Sequence, residues 1–369
     1  MRVCHVVEAA GGGSGQVVFE LARYGLEHGD DVTVCYAPDR AEAGFVAALE
    51  SLPRLRLLPS PMHRPVGLHD FYDGWLLWKT LRRAGPFDII HGHSSKAGAL
   101  TRLAGVFLPG TVVYTAHAFY SMKPDTPAIY GWLERILSWL TPCVINVSKG
   151  ELEHSRGLGI APSKLFLVPN GATPHFSASR EQARLALKAK DGQILCGFVG
   201  RLEAQKKPLR ALAAFAQAVK LHPQARLILI GDGSLREEVE AERIRLNLQD
   251  HCEMLGACDA RKILPGFDCL LNSSDFETLP ITFLESLNVG APVIAPPVGG
   301  VEEAIIEGVT GFVAQDFSEK ALGDALERYL SRSAEQRQQM SASTLQHAAL
   351  YTAEIMGEKY KILYRALIP

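Results

Sequence analysis

The sequence predicts an α/β protein of two doubly wound parallel-sheet domains. Three observations lead there: a length of 369 residues, short Val/Ile/Leu-rich runs alternating with amphipathic stretches, and a cluster of turn residues near mid-chain. A chain this long exceeds what one core usually covers, so two cores are expected. Alternating strand and helix patterns argue for parallel sheets, because parallel strands need a crossover between them.

In chain order, the candidate strands of the first half are "RVCHVVE", "DVTVCYA", "FDIIHGH", "TVVYTAH", "CVINVS" and "LFLVPN". Those of the second half are "ILCGFVG", "ARLILIG", "HCEML", "FDCLLNS", "PVIAPP" and "GFVA". Between them, Gln16–His28, Gly98–Val106, Leu209–Leu221 and Leu235–Leu246 carry apolar residues at helical spacing. Six strands per half suggest two Rossmann-like domains. Turn residues in "PNGATPHFSASREQARLA" set the boundary, giving a first domain over 1–175 and a second over 176–350. A last helix, about Ala353 to Leu367 within 351–369, follows the sheet pattern and is able to pack back on the first domain.

Hydrophobic residues at 47% and charged residues at 21% describe an ordinary globular protein. A net charge of −2 gives no reason to expect nucleic acid as a partner. The seven cysteines form no C-x-x-C and sit mostly in apolar runs, which reads as reduced, buried thiols of a cytoplasmic protein. The start, "MRVCHVVEAAGGG", has too short an apolar core for a signal peptide and reads as a first strand. No apolar run approaches the roughly 20 residues that span a bilayer.

Open parallel sheets bind ligands at the carboxyl ends of their strands, so the residues that follow each strand carry the information. In "VVEAAGGGSGQVVFELA", Gly11, Gly12, Gly13 and Gly15 separate the first strand from the first helix. Such glycines let the backbone approach an anion at a helix N-terminus; a tight turn is the plainer reading. A dehydrogenase fingerprint would need G-x-G-x-x-G, but its last position falls on Gln16 or Val18, which disfavours a nicotinamide enzyme. In "GFVGRLEAQKKPLRALAAF", a strand ends at Gly200 and is followed by Arg201, Lys206, Lys207 and Pro208, the last suited to a first helical position. Arg201 as a fork and Lys206 as a point charge can converge on a diphosphate; a solvated basic loop is the alternative. In "DFETLPITFLES", Pro280 marks a helix start, and Gly290 with Pro292 its stop. Glu277 then lies in the strand-end loop and Glu285 on the second helical turn, both near the ligand-binding edge.

The pieces "GGGSGQVV", "GRLEAQKKP", "ILIGDG" and "FETLPITFLESLNVGAPVIAPPVGGVEEAIIEGVTGFV" together resemble the retaining GT-B glycosyltransferases of family four, over nearly the whole chain. The first half, in "HGHSSKAGALTRLAGV" and "VVYTAHAF", is similar to the bacterial branch that assembles capsular, exopolysaccharide or lipid-linked glycans. The resemblance implies two Rossmann-like lobes facing across a cleft. It implies sugar transfer from a nucleotide-diphosphate sugar, most commonly a UDP-sugar, to a glycan or polyprenyl-diphosphate-linked acceptor. A nucleotide-sugar epimerase and a non-catalytic nucleotide-sugar binding protein are the alternatives on the same architecture.

Residue by residue, the resemblance implies that Arg201 and Lys206 neutralise the diphosphate and that Glu285 accepts hydrogen bonds from the ribose hydroxyls. Glu277, with the backbone of Thr278 and Leu279, would face the transferred sugar. Gly12, Gly13 and Ser14 would form the first-domain wall, His117 would lie close to the sugar, and backbone at Leu255 and Gly256 would contact the base. His117, Glu277, Arg201 and Lys206 make up the implied catalytic set. Retention would proceed by same-face attack, the leaving phosphate helping to deprotonate the acceptor. No D-x-D occurs, so neither a metal nor another cofactor is expected. Two residues depart from the family pattern: Thr278 where Gly is usual and Ser286 where Ala is usual.

His91 and His93 are spaced i, i+2 and would share one face of a strand. No carboxylate or cysteine joins them locally, so an acceptor-site or structural role is favoured over a metal. Ser94, Ser95 and Lys96 open the next helix and could hold an anionic acceptor such as a lipid diphosphate. The segments "FYDGWLLWKTLRR" and "IYGWLERILSWLTP" mix Trp75, Trp78, Trp132 and Trp139 with Arg82 and Arg83. Helices of this kind can lie on a membrane surface, here the inner face of the plasma membrane; packed core helices are the commoner case.

Overall fold

The computed structural model describes residues 1–8, 11–63, 67–123, 126–173 and 176–368. The chain divides into two compact units, Met1–Ala172 with Thr352–Pro369, and Thr173–Tyr351. Residues 174–175, where the sequence reading placed the boundary, lie outside the described residues.

Unit 1 runs β1 (Arg2–Val7), α1 (Gly12–Glu27), β2 (Asp31–Tyr36), α2 (Ala43–Glu50), β3 (Arg56–Pro59), α3 (His69–Ala84) and β4 (Ile89–His93). It continues through α4 (Ser95–Gly105), β5 (Thr111–Thr115), α5 (Ile129–Leu137), β6 (Cys143–Asn146), α6 (Lys149–Gly157) and β7 (Leu165–Leu167). The sheet is parallel, in the order β3-β2-β1-β4-β5-β6-β7. The reading missed β3. Its Arg-Leu-Leu-Pro is charged and proline-ended, as suits an edge strand, so no apolar run announced it.

Side chains alternate across the sheet and bury both faces. Cys4, Val6 and Ile90 pack with Leu77 and Leu81 of α3 and Leu100 of α4. On the other face Val7 and Val34 pack with Val18 and Ala22 of α1 and Leu49 of α2. Each such leucine is worth about 1.5–3 kcal/mol of burial. The C-terminal helix, Ala353–Leu367, belongs to this unit and packs on α1. A Cβ at Gly357 would lie 2.3 Å from the Tyr24 ring, so only glycine permits this approach. Arg23–Glu354 at 3.0 Å and Lys361–Asp30 at 3.1 Å flank the contact. Ala172 and Thr352 pair in a parallel bridge where the chain leaves and re-enters the unit.

Unit 2 runs α7 (Arg180–Ala186), β8 (Ile194–Val199), α8 (Pro208–Val219), β9 (Ala225–Ile230), α9 (Arg236–Arg245), β10 (Cys252–Gly256) and β11 (Cys269–Leu271). Then follow α10 (Ile281–Asn288), β12 (Val293–Ala295), α11 (Val301–Ala304), β13 (Gly311–Val313), α12 (Glu319–Leu330) and α13 (Ala334–Ala348). Its parallel sheet has the order β10-β9-β8-β11-β12-β13, with all six strands where the apolar runs placed them. The runs in β8 and β9 are almost continuously apolar because helices cover both faces. Phe215 of α8 and Leu322 and Leu326 of α12 fill one of those faces.

All seven cysteines are free thiols, six of them buried and Cys258 exposed. No helix among the described residues is long and apolar enough to cross a membrane.

Candidate active site

In unit 2, β8 has β9 on one side and β11 on the other, so the chain order reverses there. The loops leaving β8 and β11 therefore flank the crevice in which open sheets bind ligands. Arg201 follows β8, is exposed, and its side chain has no partner among the described residues. Lys206 lies over Gly200, where a Cβ would sit 3.5 Å from its side-chain carbons. Its Nζ reaches Glu277 Oε1 at 2.5 Å, and that oxygen also accepts from Ser274 Oγ at 2.7 Å. Glu277 is only 8% exposed.

The two loops are tied together along their length. Asp275 N donates to Gln205 O, and Gln205 Nε2 donates to Phe276 O, each at 3.0 Å. Arg210 donates to Ser273 O at 2.8 Å and to Asp275 Oδ1 at 2.6 Å. Lys207, left-handed at φ 48° ahead of Pro208, places its Nζ 3.1 Å from Asp275. This network fixes the Lys206 ammonium before any ligand arrives, which is the condition for strong electrostatic stabilisation. An ammonium has three N–H donors, so Lys206 can hold Glu277 and a phosphate oxygen together.

Thr278 and Leu279 are buried, 7% and 1% exposed, beside a pair of glycines the sequence reading left without a role. A Cβ at Gly299 would lie 2.4 Å from Glu277 O, and one at Gly300 2.1 Å from Thr278 O; Gly300 also has φ 84°. The "GG" after β12 therefore lets its loop pack against the 277–279 backbone. Two adjacent glycines were visible in the sequence, but their partner was not. Gly231 plays the same part beside β8, since a Cβ there would meet Gly200 O at 1.9 Å.

Glu285 is half-buried on α10 and makes no hydrogen bond among the described residues. Burial pushes its carboxyl up to about 7, Arg261 opposing the rise and Asp259 adding to it. Leu255 and Gly256 end β10, with Gly256 at φ 71° and its carbonyl accepting from Gly231 N at 2.8 Å.

In unit 1, Gly12 (φ 57°) and Gly13 are exposed in the first turn of α1, with Ser14 half-buried. The N-cap Gly11 supplies no side-chain cap. His117, half-buried just beyond β5, has φ 51°, and Ala118 has φ 101°. Two successive non-glycine residues at positive φ are strained and persist only where neighbours hold them. Glu151 of α6 is one such neighbour: its carboxylate accepts from Ala118 N at 2.8 Å and Val147 N at 2.7 Å. Burial pushes this carboxyl up to about 7 against those two donors. The sequence reading missed Glu151; Ser148 three residues before it marks a helix start, and Ser148 Oγ does accept from Glu151 N.

His91 and His93 are fully buried, so the acceptor contact expected of them is not open to them here. Their strand register turns both inward. His93 Nδ1 meets His117 Nε2 at 3.0 Å, and His93 Nε2 meets His5 Nδ1 at 3.0 Å. His91 meets Tyr364 Oη of the C-terminal helix at 2.6 Å and Thr115 Oγ1 at 2.9 Å. Burial lowers His5 and His117 to about 4, and drives His91 and His93 well below the usual range. All four are neutral at pH 7. Ser94, at φ 70°, sits at the N-cap position of α4, but its buried Oγ makes no cap bond and has no partner among the described residues. Ser95 is half-buried in the first turn, and Lys96 Nζ pairs with Asp70 of α3 at 2.6 Å. The anionic-acceptor role expected of Lys96 would have to share it with that carboxylate.

Two doubly wound parallel-sheet lobes, one with Lys206 and Glu277 in its strand-end loops and Glu285 on the helix that follows, are matched over nearly the whole chain by glycosyltransferase families and by solved GT-B structures. Residues 11–176 match the family described as Glycosyltransferase Family 4, and residues 179–347 that described as Glycosyl transferases group 1. The chain belongs to the family-four glycosyltransferases.

A UDP-Gal:alpha-D-GlcNAc-diphosphoundecaprenol alpha-1,3-galactosyltransferase of Escherichia coli is 29% identical over 259 residues, 65% of this chain and 65% of that protein. A D-inositol 3-phosphate glycosyltransferase of Stackebrandtia nassauensis is 28% identical over 316 residues, 78% of this chain and 70% of the relative. Among solved structures, Anabaena Alr3699/HepE in complex with UDP and glucose superposes with a TM-score of 0.85 at 17% identity, covering 99% of this chain and 100% of the other. WaaG, a glycosyltransferase involved in lipopolysaccharide biosynthesis, does so with a TM-score of 0.78 at 18% identity, covering 99% of each.

Proposed function

We propose that the protein is a retaining, metal-independent glycosyltransferase that moves a hexosyl or N-acetylhexosaminyl group from a UDP-sugar to a lipid-diphosphate-linked glycan during cell-surface polysaccharide assembly. The observation that carries this reading is the Lys206–Glu277 pair with the open Arg201 guanidinium at the switch point of unit 2. The donor and acceptor classes are supported by the E. coli relative, whose name gives UDP-Gal and a diphosphoundecaprenol-linked sugar. The Anabaena structure, with UDP and glucose bound, supports the uridine base.

In this reading Arg201 and Lys206 hold the donor diphosphate, and Glu285 accepts from the ribose hydroxyls. The bond from the anomeric carbon to phosphate breaks as the acceptor hydroxyl attacks the same face. Its oxygen bonds to that carbon, and its proton passes to the leaving phosphate. The cations stabilise the charge that develops on that diphosphate, and no step calls for a metal. Glu277 and His117 attend the sugar.

A panel of nucleotide sugars tests this. UDP-sugars should raise the melting temperature, and one of them should be consumed in the presence of a lipid-diphosphate glycan and EDTA, giving a product of unchanged anomeric configuration. Glu285→Ala should abolish transfer while staying folded. Protection by GDP- or ADP-sugars alone would refute the uridine assignment, and full activity of Glu285→Ala would refute the site.

The lipid acceptor adds a location, the cytoplasmic face of the plasma membrane. Phe71 and Trp75 on α3, Leu103 on α4, Phe107 just beyond it and Trp132 on α5 are exposed on helices that pack in succession. Lys79, Arg82 and Arg83 lie on α3 beside them, a combination suited to an anionic bilayer surface. The protein should float with anionic vesicles at low salt, and Phe71→Asp/Trp132→Asp should not. Failure of the unmodified protein to float removes the membrane surface.

A further inference from the structure

His5, His91 and His93 bring ring nitrogens within 4.8 Å of one another, the spacing of a metal cluster. Five of the six nitrogens of these rings are already engaged. His91 uses both of its own on Tyr364 and Thr115, and His5 Nδ1 faces His93 Nε2. What the geometry builds instead is a line of three imidazoles, His5 to His93 to His117, with 3.0 Å between successive nitrogens.

A neutral imidazole carries one N–H, and a hydrogen bond between two ring nitrogens needs one N–H and one bare nitrogen. Only two proton arrangements satisfy both contacts at once. In the first, every ring is protonated at Nε2: His117 donates to His93 Nδ1, His93 donates to His5 Nδ1, and His117 Nδ1 is bare. In the second, every ring is protonated at Nδ1: His5 donates to His93 Nε2, His93 donates to His117 Nε2, and His117 Nδ1 carries a proton. The tautomer of His117 is thus tied to that of a residue on β1, two rings away.

The buried end of the line decides between them. His5 is 1% exposed, and its Nε2 has no hydrogen-bond partner among the described residues. An orphaned buried N–H is rarer and costlier than an orphaned acceptor. The arrangement with a proton on His5 Nε2 is therefore the disfavoured one.

We infer that His5 and His93 are positioning residues that lock His117 as its Nδ1–H tautomer, so that His117 offers the sugar a hydrogen-bond donor and is not a base. The inference deepens the function proposed above and rests on it for the identity of the ligand. It assigns His117 the task of donating to a sugar oxygen, and leaves the acceptor proton to the departing phosphate.

Long-range proton–nitrogen NMR of the unmodified protein tests the lock without any turnover. The His117 resonances, assigned by their loss in His117→Gln, should show a protonated Nδ1 and a bare Nε2, with His93 showing the same. A protonated Nε2 on His117, or stoichiometric zinc on the purified protein, overturns the inference. His5→Phe removes the imidazole at the end of the line while keeping an aromatic ring. The His117 pattern should become a mixture of both tautomers, and kcat should fall about 3–10-fold with KM for the nucleotide sugar unchanged, the size of one weakened hydrogen bond. A single unchanged tautomer in His5→Phe also overturns the lock, even if its melting temperature drops. Should no sugar be transferred by the unmodified protein while the Nδ1–H pattern is present, the proposed function fails and the lock stands.

Discussion

The two units solve the problem of holding a polar site rigid in opposite ways. Unit 2 does it with charge: Lys206 against Glu277, and Arg210 and Lys207 against Asp275. Unit 1 does it chiefly with neutral groups, three imidazoles in line and a fourth between a tyrosine and a threonine, helped by one carboxyl spread over two backbone amides. Charged pairs suit a ligand that is itself a dianion. Neutral groups suit a sugar, whose hydroxyls ask for direction and not for charge. The contrast yields three predictions, taken from the largest effect to the smallest.

Lys206→Ala should show the largest combined loss, in rate and in stability together. Under the proposed function it removes a cation from the diphosphate, about 10²–10³-fold in rate by analogy with a lost preorganised donor. It also leaves Glu277 nearly buried and unpaired, a loss of about 3–5 kcal/mol. Thermal melts and turnover assays should show both losses together. Lys206→Met with the melting temperature of the parent would show that the pair does not hold the loop.

The units should also separate in acid. His5, His91, His93 and His117 have pKa values lowered by burial, so the stability they confer is present above the unfolded value near 6.5. It is lost as pH falls from there towards 4, by up to about 1.4 kcal/mol per pH unit for each histidine. Glu151, raised to about 7, runs the other way, stabilising below about 4.5 and ceasing to do so as pH climbs through 7. Four groups outweigh one, so hydrogen exchange should rise at pH 5 in strands β1, β4 and β5 before it rises in β8 and β9. Equal loss of protection in both units would break the comparison.

The smallest effect concerns Glu285. With its carboxyl raised to about 7, its ionised form, the one the proposed function assigns to the ribose hydroxyls, grows roughly tenfold between pH 6 and pH 8. UDP affinity measured by calorimetry should strengthen by about that factor, and Glu285→Gln should flatten the dependence. A pH-independent affinity in the unmodified protein would mean that Glu285 meets the ligand without changing its proton.

The same contrast explains what the sequence made legible. Every strand of unit 2 stood out as an apolar run because helices cover both faces, and its charges stood out because they interrupt those runs at strand ends. Arg201, Lys206 and Glu277 drew notice on that ground and Glu285 through the helix start that Pro280 marks, while the roles given to them came from the family resemblance. The neutral devices of unit 1 leave no such trace. His5 reads as one more residue in "RVCHVV", and only the parallel register that sets β1 beside β4 brings it to His93. Glu151 looks like half of a helix cap until the exit of β5 is folded over it. Lys96 looked available because Asp70, its partner, lies 26 positions earlier on another helix.

The bridge between Ala172 and Thr352 has a further consequence. Residues 173–351 form one unbroken insertion whose two ends emerge side by side from a single paired step of backbone. A lobe attached in that manner is a cassette. It can be cut out and replaced by the corresponding stretch of a relative without rethreading the host, and under the proposed function donor choice should travel with residues 173–351.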